Sequence, residues 1–127
     1  MFFKRKKISS CNDWIDSILE KFIFQGIQSI NFNIYEGENT LHLQIIGSES
    51  TPEQDEEWYC DNHFTTGENV FIIDRKITGG KWEEGLQYFI NVVNEYLENG
   101  KNRDKLKNMK AVGIGFVDGD NEILYRS

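Results

Sequence analysis

The chain has 127 residues, 39% of them apolar and 13% aromatic (3 Trp, 5 Tyr, 9 Phe). That length fits one domain, and that content supplies a core without metal or disulfide staples. The net charge of −7 is uneven: setting aside Lys4, Arg5, Lys6 and Lys7 leaves 10 basic against 21 acidic residues, or −11 for residues 8–127. Such a body lacks the basic face that phosphate contacts require, so nucleic acid is disfavoured as a partner and a basic protein is favoured.

Cys11 and Cys60 are too few for a disulfide framework. Free thiols and a reducing compartment are expected, which places the protein in the cytoplasm. The basic cluster before Ile8-Ser9-Ser10-Cys11 superficially resembles an export signal. No apolar stretch of about 7–15 residues lies between them, so that reading fails. No window approaches the roughly 18 apolar residues of a membrane span. Residues 1–10 read as a basic N-terminal arm, solvated or guarding a sheet edge rather than binding lipid. Residues 11–127 read as one α+β domain.

Asn12 and Asp13 are good helix caps, and Trp14, Ile15, Ile18, Leu19, Phe22 and Ile23 share one helical face. A helix is expected over residues 13–24, ended by Gly26. The period then changes to two. Ile30, Phe32 and Ile34 form one strand; Leu41, Leu43 and Ile45 form its hairpin partner across Gly37-Glu38-Asn39. A third strand is expected from about Glu57, with Trp58, Cys60 and Asn62 on one face and Tyr59, Asp61 and His63 on the other. A fourth, more fully apolar, starts at Val70 and continues to about Ile77. Gly-Glu-Asn recurs at residues 67–69, which hints at a four-stranded meander, although three residues are too few to establish a repeat.

A second helix begins near Trp82. Its stripe is Trp82, Leu86, Phe89, Ile90, Val93, Tyr96 and Leu97; Glu83 and Glu84 suit its first turn, and Asn99-Gly100 ends it. Residues 101–110 form a short helix or exposed loop. Val112, Ile114 and Phe116 make a fifth strand. The turn Asp118-Gly119-Asp120-Asn121 leads to a sixth, with Ile123 and Tyr125. The order α-β-β-β-β-α-β-β, with tight turns, predicts a two-layer α+β sandwich. Its sheet has about six mainly antiparallel strands and two helices on one face.

Several motifs dissolve on inspection. Cys60 and His63 have C-x-x-H spacing, and Cys11 and His42 would complete a Cys2His2 zinc set by count. The other end lacks paired spacing, and a strand would point Cys60 and His63 to opposite faces. A thiol–imidazole nucleophile fails for the same reason. Asp118, Asp120 and Glu122 lack the length and flanking helices of a calcium loop. Gly113-x-Gly115 precedes a strand, not a helix, so it is no dinucleotide fingerprint; the two glycines admit Trp82 or another large ring onto the sheet. Gly79-Gly80-Lys81 is no phosphate loop. Nothing in the sequence makes Glu36, Glu38, Glu83 and Glu84 converge.

One segment stands out. Residues 49–61 hold Glu49, Glu53, Asp55, Glu56, Glu57 and Asp61, no Lys or Arg, and the only proline, Pro52. They surround Trp58 and Tyr59. Crowded carboxylates beside large aromatics are a candidate docking surface for a basic partner. In size, acidity, α+β pattern and lack of a catalytic motif, the chain resembles the cytoplasmic immunity proteins of bacterial polymorphic-toxin and contact-dependent inhibition systems. That resemblance implies a toxin inhibitor, binding a cationic, often nuclease-like, toxin domain without cofactor or catalysis. Glu53, Asp55, Glu56, Glu57, Trp58, Tyr59 and Asp61 are the expected partner-binding residues. Two other readings compete: a small-ligand or metal-dependent enzyme using Cys60 and His63, and a homo-oligomeric structural domain, such as a homodimer, pairing through an edge strand.

Overall fold

The computed structural model describes residues 2–22, 24–60, 64–67 and 69–127, without the side chains of residues 2–10 and 64. Ile23 of the expected helical stripe, the docking candidate Asp61, Asn62, the ligand candidate His63 and Glu68 of the second Gly-Glu-Asn lie outside the described residues.

The fold is α+β, with α1 (Phe2–Lys21), β1 (Ser29–Glu36), β2 (Thr40–Ser48), a 3-10 turn (Trp58–Cys60), β3 (Phe64–Thr65), β4 (Phe71–Asp74), α2 (Arg75–Thr78), α3 (Trp82–Asn99), α4 (Arg103–Lys107), β5 (Ala111–Phe116) and β6 (Asn121–Arg126). The six strands occupy five positions. β3 and β4 share one flank of β2, and the order continues through β1 and β5 to β6.

The two hairpins are as the sequence predicts: β1 pairs antiparallel with β2, and β5 with β6. The join between them is not. β1 and β5 run parallel, Ser29 opposite Ala111 and Ile34 opposite Phe116, so the sheet is mixed. Parallel neighbours need a long crossover, supplied here by everything from β2 to α4.

The expected third strand is replaced at Trp58–Cys60 by a 3-10 turn. Local bonds outcompete extension there: Trp58 N–H donates to Asp55 O at 3.1 Å and Cys60 N–H to Glu57 O at 2.8 Å. The fourth strand is shorter than expected. It alternates buried and exposed residues, and Ile72 faces solvent. Asp74 then caps α2, accepting from Lys76 N–H at 2.8 Å.

α1 also departs from its expected bounds of residues 13–24. Its backbone takes in the basic segment and stops at Lys21. Asn12 is inside the helix rather than capping it, and its buried Oδ1 has no hydrogen-bond partner among the described residues.

Even-numbered residues of β1 and β5 face the helices, with odd-numbered Leu41, Leu43 and Ile45 of β2 beside them. Ile30, Phe32, Ile34, Val112 and Ile114 pack with Ile15, Leu19, Phe89 and Val93 into one core. α1 and α3 are the long helices on that face, and the short α4 adds Leu106 to the same core, so the helices number four among the described residues and not the expected two. A polar clamp joins α1 and α3. Tyr96 OH donates to Asp16 Oδ1 and accepts from Asn102 N–H at 3.1 Å, while Asn102 Nδ2 reaches Glu20 at 3.2 Å. Burial, and then the Asp16 carboxylate, push the Tyr96 phenol well above its ordinary range.

Candidate functional site

The opposite face of the sheet carries Ser29, Asn31, Ile46 and Ser48, and the backbone of Gly113, all buried. What covers them is the acidic loop. Trp58 is only 2% exposed. Its turn packs on β1 and β2, and its ring tip Cη2 stands 3.0 Å from where a Cβ on Gly113 would be. Of the two glycines of β5, Gly113 admits a large ring, that of Trp58 and not of Trp82, whereas Gly115 meets Asp120 and Asn121 instead. Asn31 Oδ1 and Asn121 Nδ2 crowd the same spot, at 2.6 and 2.7 Å.

The loop is strapped as well as plugged. Gln28 Nε2 donates to Glu49 O at 2.6 Å. Thr51 N–H donates to Gln54 Oε1 at 3.0 Å, and Gln54 N–H to Thr51 Oγ1 at 3.3 Å, the reciprocal pattern of a capping box. Asp55 Oδ1 accepts from Glu57 N–H at 2.9 Å. Arg126 on β6 pairs with Glu53.

These contacts divide the expected docking residues. Trp58 is an internal anchor, not an exposed one, because its ring is spent covering the far face of the sheet. Tyr59 is half-buried, its ring edge-on to Trp58 at 5.9 Å. Glu53 and Asp55 are exposed but engaged with the fold. Glu56 and Glu57 are exposed, and their carboxylates have no bond or ion pair among the described residues.

The possible zinc set is not assembled. Cys11 is in the helix-side core, where burial pushes its thiol up to about 12. His42 is on the opposite face, beside Tyr35 and 2.9 Å from Thr40 Oγ1. Cys60 is exposed on the loop. Among the described residues no three His, Cys, Asp or Glu side chains converge on a metal position. Among the described residues no helix is long and apolar enough to cross a membrane.

A second feature was not foreseen. Beyond the carboxyl ends of β1 and β5, a cleft of about 600 Å³ opens between the start of α3 and the β5–β6 hairpin. Its floor is Leu86, Ile114 and Phe116, the exposed Trp82 stands at its mouth, and its rim carries Glu36, Asp118, Asp120 and Glu122. Trp82, placed by its spacing on the buried stripe of α3, is 54% exposed and edge-on to Phe116 at 6.1 Å. It opens α3, beside the last residue of β5. The alternating acids of the β5–β6 turn and the tryptophan opening a helix were the available signals. Glu36 was invisible, because only the parallel register brings it there.

No family model, curated protein or solved structure matches the chain.

Proposed function

We propose that this protein is a non-catalytic, cytoplasmic protein-binding module of the immunity type. In this reading it neutralises a basic, nuclease-like partner through the acidic loop 49–61. The observation that carries the reading is the burial of Trp58 beneath exposed Glu56 and Glu57. A mobile acidic loop would lose ordering entropy on docking. A loop already held by a buried ring and several hydrogen bonds presents its charges pre-arranged. Facing charges then accelerate encounter and weaken with salt.

The structure also selects the test. Reversing Glu53 or Asp55 would disturb Arg126 or the turn itself, so Glu56→Lys with Glu57→Lys is the cleaner variant. Wild type and this variant are used as baits at low and moderate salt. A single basic protein held one-to-one by wild type, released by salt and lost by the variant is the expected result. Recovery of the same proteins by both baits refutes the docking role of the loop.

A further inference from the structure

We infer that the cleft between α3 and the β5–β6 hairpin binds a small organic cation, an ammonium or guanidinium group on an apolar stem. The inference is independent of the docking loop and uses none of its residues. The cleft lies within the roughly 300–1,000 Å³ range of small-molecule sites and beyond the carboxyl ends of the parallel pair, a common place for ligands in sheets with parallel strands.

The lining decides the ligand's chemistry. No Lys or Arg is part of it. Glu36 is already paired, with Arg75 of α2 at 2.7 Å, outside the lining. Asp118, Asp120 and Glu122 have no ion pair among the described residues. An anion is repelled by this rim. A neutral apolar ligand would cover the floor but strip water from carboxylates and offer them nothing in return. A bare metal ion needs ligands that converge, and these carboxylates instead ring an apolar floor. An organic cation satisfies both halves: its stem lies on Leu86, Ile114 and Phe116, and its charge meets the rim. Trp82 presents an exposed ring at the mouth, where a cation can also sit on an aromatic face.

The test is a titration followed by amide and indole NMR shifts, with 1,4-diaminobutane as probe. Neutral 1,4-butanediol and magnesium chloride at matched ionic strength are the controls. Saturable shifts are expected at the Trp82 indole N–H and at residues 118–122, with the diamine alone. The variant D118N/D120N/E122Q should bind about tenfold more weakly, since three exposed charge contacts, each weak alone, are removed together. W82L, which keeps every charge, should also weaken binding and covers the case in which the triple variant misfolds. E56K/E57K, with the cleft intact, should bind as wild type does. Equal shifts with magnesium, shifts that do not saturate, or undiminished affinity in both cleft variants overturn the proposal. So does a basic peptide that occupies the cleft when the free diamine does not.

Discussion

Replacing Trp58 by alanine tests whether the acidic loop is a built surface or merely a solvated connection. The ring is 2% exposed and touches the sheet where Gly113 leaves room for it. Removing a buried Trp or Phe side chain typically costs about 3–5 kcal/mol. Trp58 lies outside the helix-side core, however, so the loop can detach while that core stays folded. The loss of global stability is then limited to the free energy that docks the loop, and about 3 kcal/mol is the expected figure, from the low end of that range. This remains a large share of the roughly 5–15 kcal/mol that holds a domain together. Urea unfolding of wild type, W58F and W58A measures it. A detached loop should also lower the denaturant slope, because less surface remains to be exposed. Hydrogen exchange supplies the local readout: the Trp58 and Cys60 amides, bonded to Asp55 and Glu57, should lose protection first. W58A should release the proposed basic partner although no carboxylate has changed. A stability within about 0.5 kcal/mol of wild type, with both amides still protected, would refute the anchoring role.

The remaining expectations follow from the same contacts. Gly113→Ala places a methyl group against Asn31, Asn121 and Trp58; overpacking of this kind costs about 1–3 kcal/mol. Combined with W58A in a double-mutant cycle, it should cost less than the sum, because the ring's space is then vacant. Under native conditions at mildly alkaline pH, a disulfide reagent should titrate one thiol, the exposed Cys60, and a second only after unfolding. Burial raises the Cys11 thiol from 9.0 to about 12, so its contribution to stability is complete below pH 9 and lost as pH rises toward 12; C11A should flatten that alkaline decline. The Asn102 side chain, and then Lys101 at 3.3 Å, hold the Glu20 carboxyl below its ordinary value. That contribution is present above the ordinary pKa of 4.5 and lost as pH falls through the lowered one, so E20Q should flatten the acid limb of a stability profile.

What the sequence made legible was local. Period-two runs around Ile30–Ile34 and Leu41–Ile45, with Gly-Glu-Asn between, are enough for a hairpin, because register and turn are set by neighbours in the chain. The α3 stripe from Leu86 to Leu97 is equally self-contained. Residues 58–60 show the limit of such reading. Trp, Tyr and Cys all suit a strand, yet the preceding Thr, Gln and Asp residues close turns on their own backbone. The extended alternative loses to bonds only three residues long. The burial of Trp58 was beyond reach for a different reason: its partner, Gly113, is more than fifty residues away on another strand.

The cleft shows what long-range topology adds. Glu36 and the acids of the β5–β6 turn are about eighty residues apart and carry no shared signature. Only the parallel register of β1 with β5, continued where Val117 N–H donates to Ile34 O at 3.0 Å, puts the ends of both strands at one edge. An antiparallel join there, the arrangement short turns suggest, would send β5 to the opposite edge and leave Glu36 alone. The far face would change as well, since the same register sets Gly113 opposite Asn31, where the Trp58 ring descends. Both candidate surfaces therefore depend on one strand pairing that hairpin reasoning does not reach. A variant that weakens the β1–β5 ladder should disturb the acidic loop and the cation cleft together, whereas changes within either surface should leave the other intact.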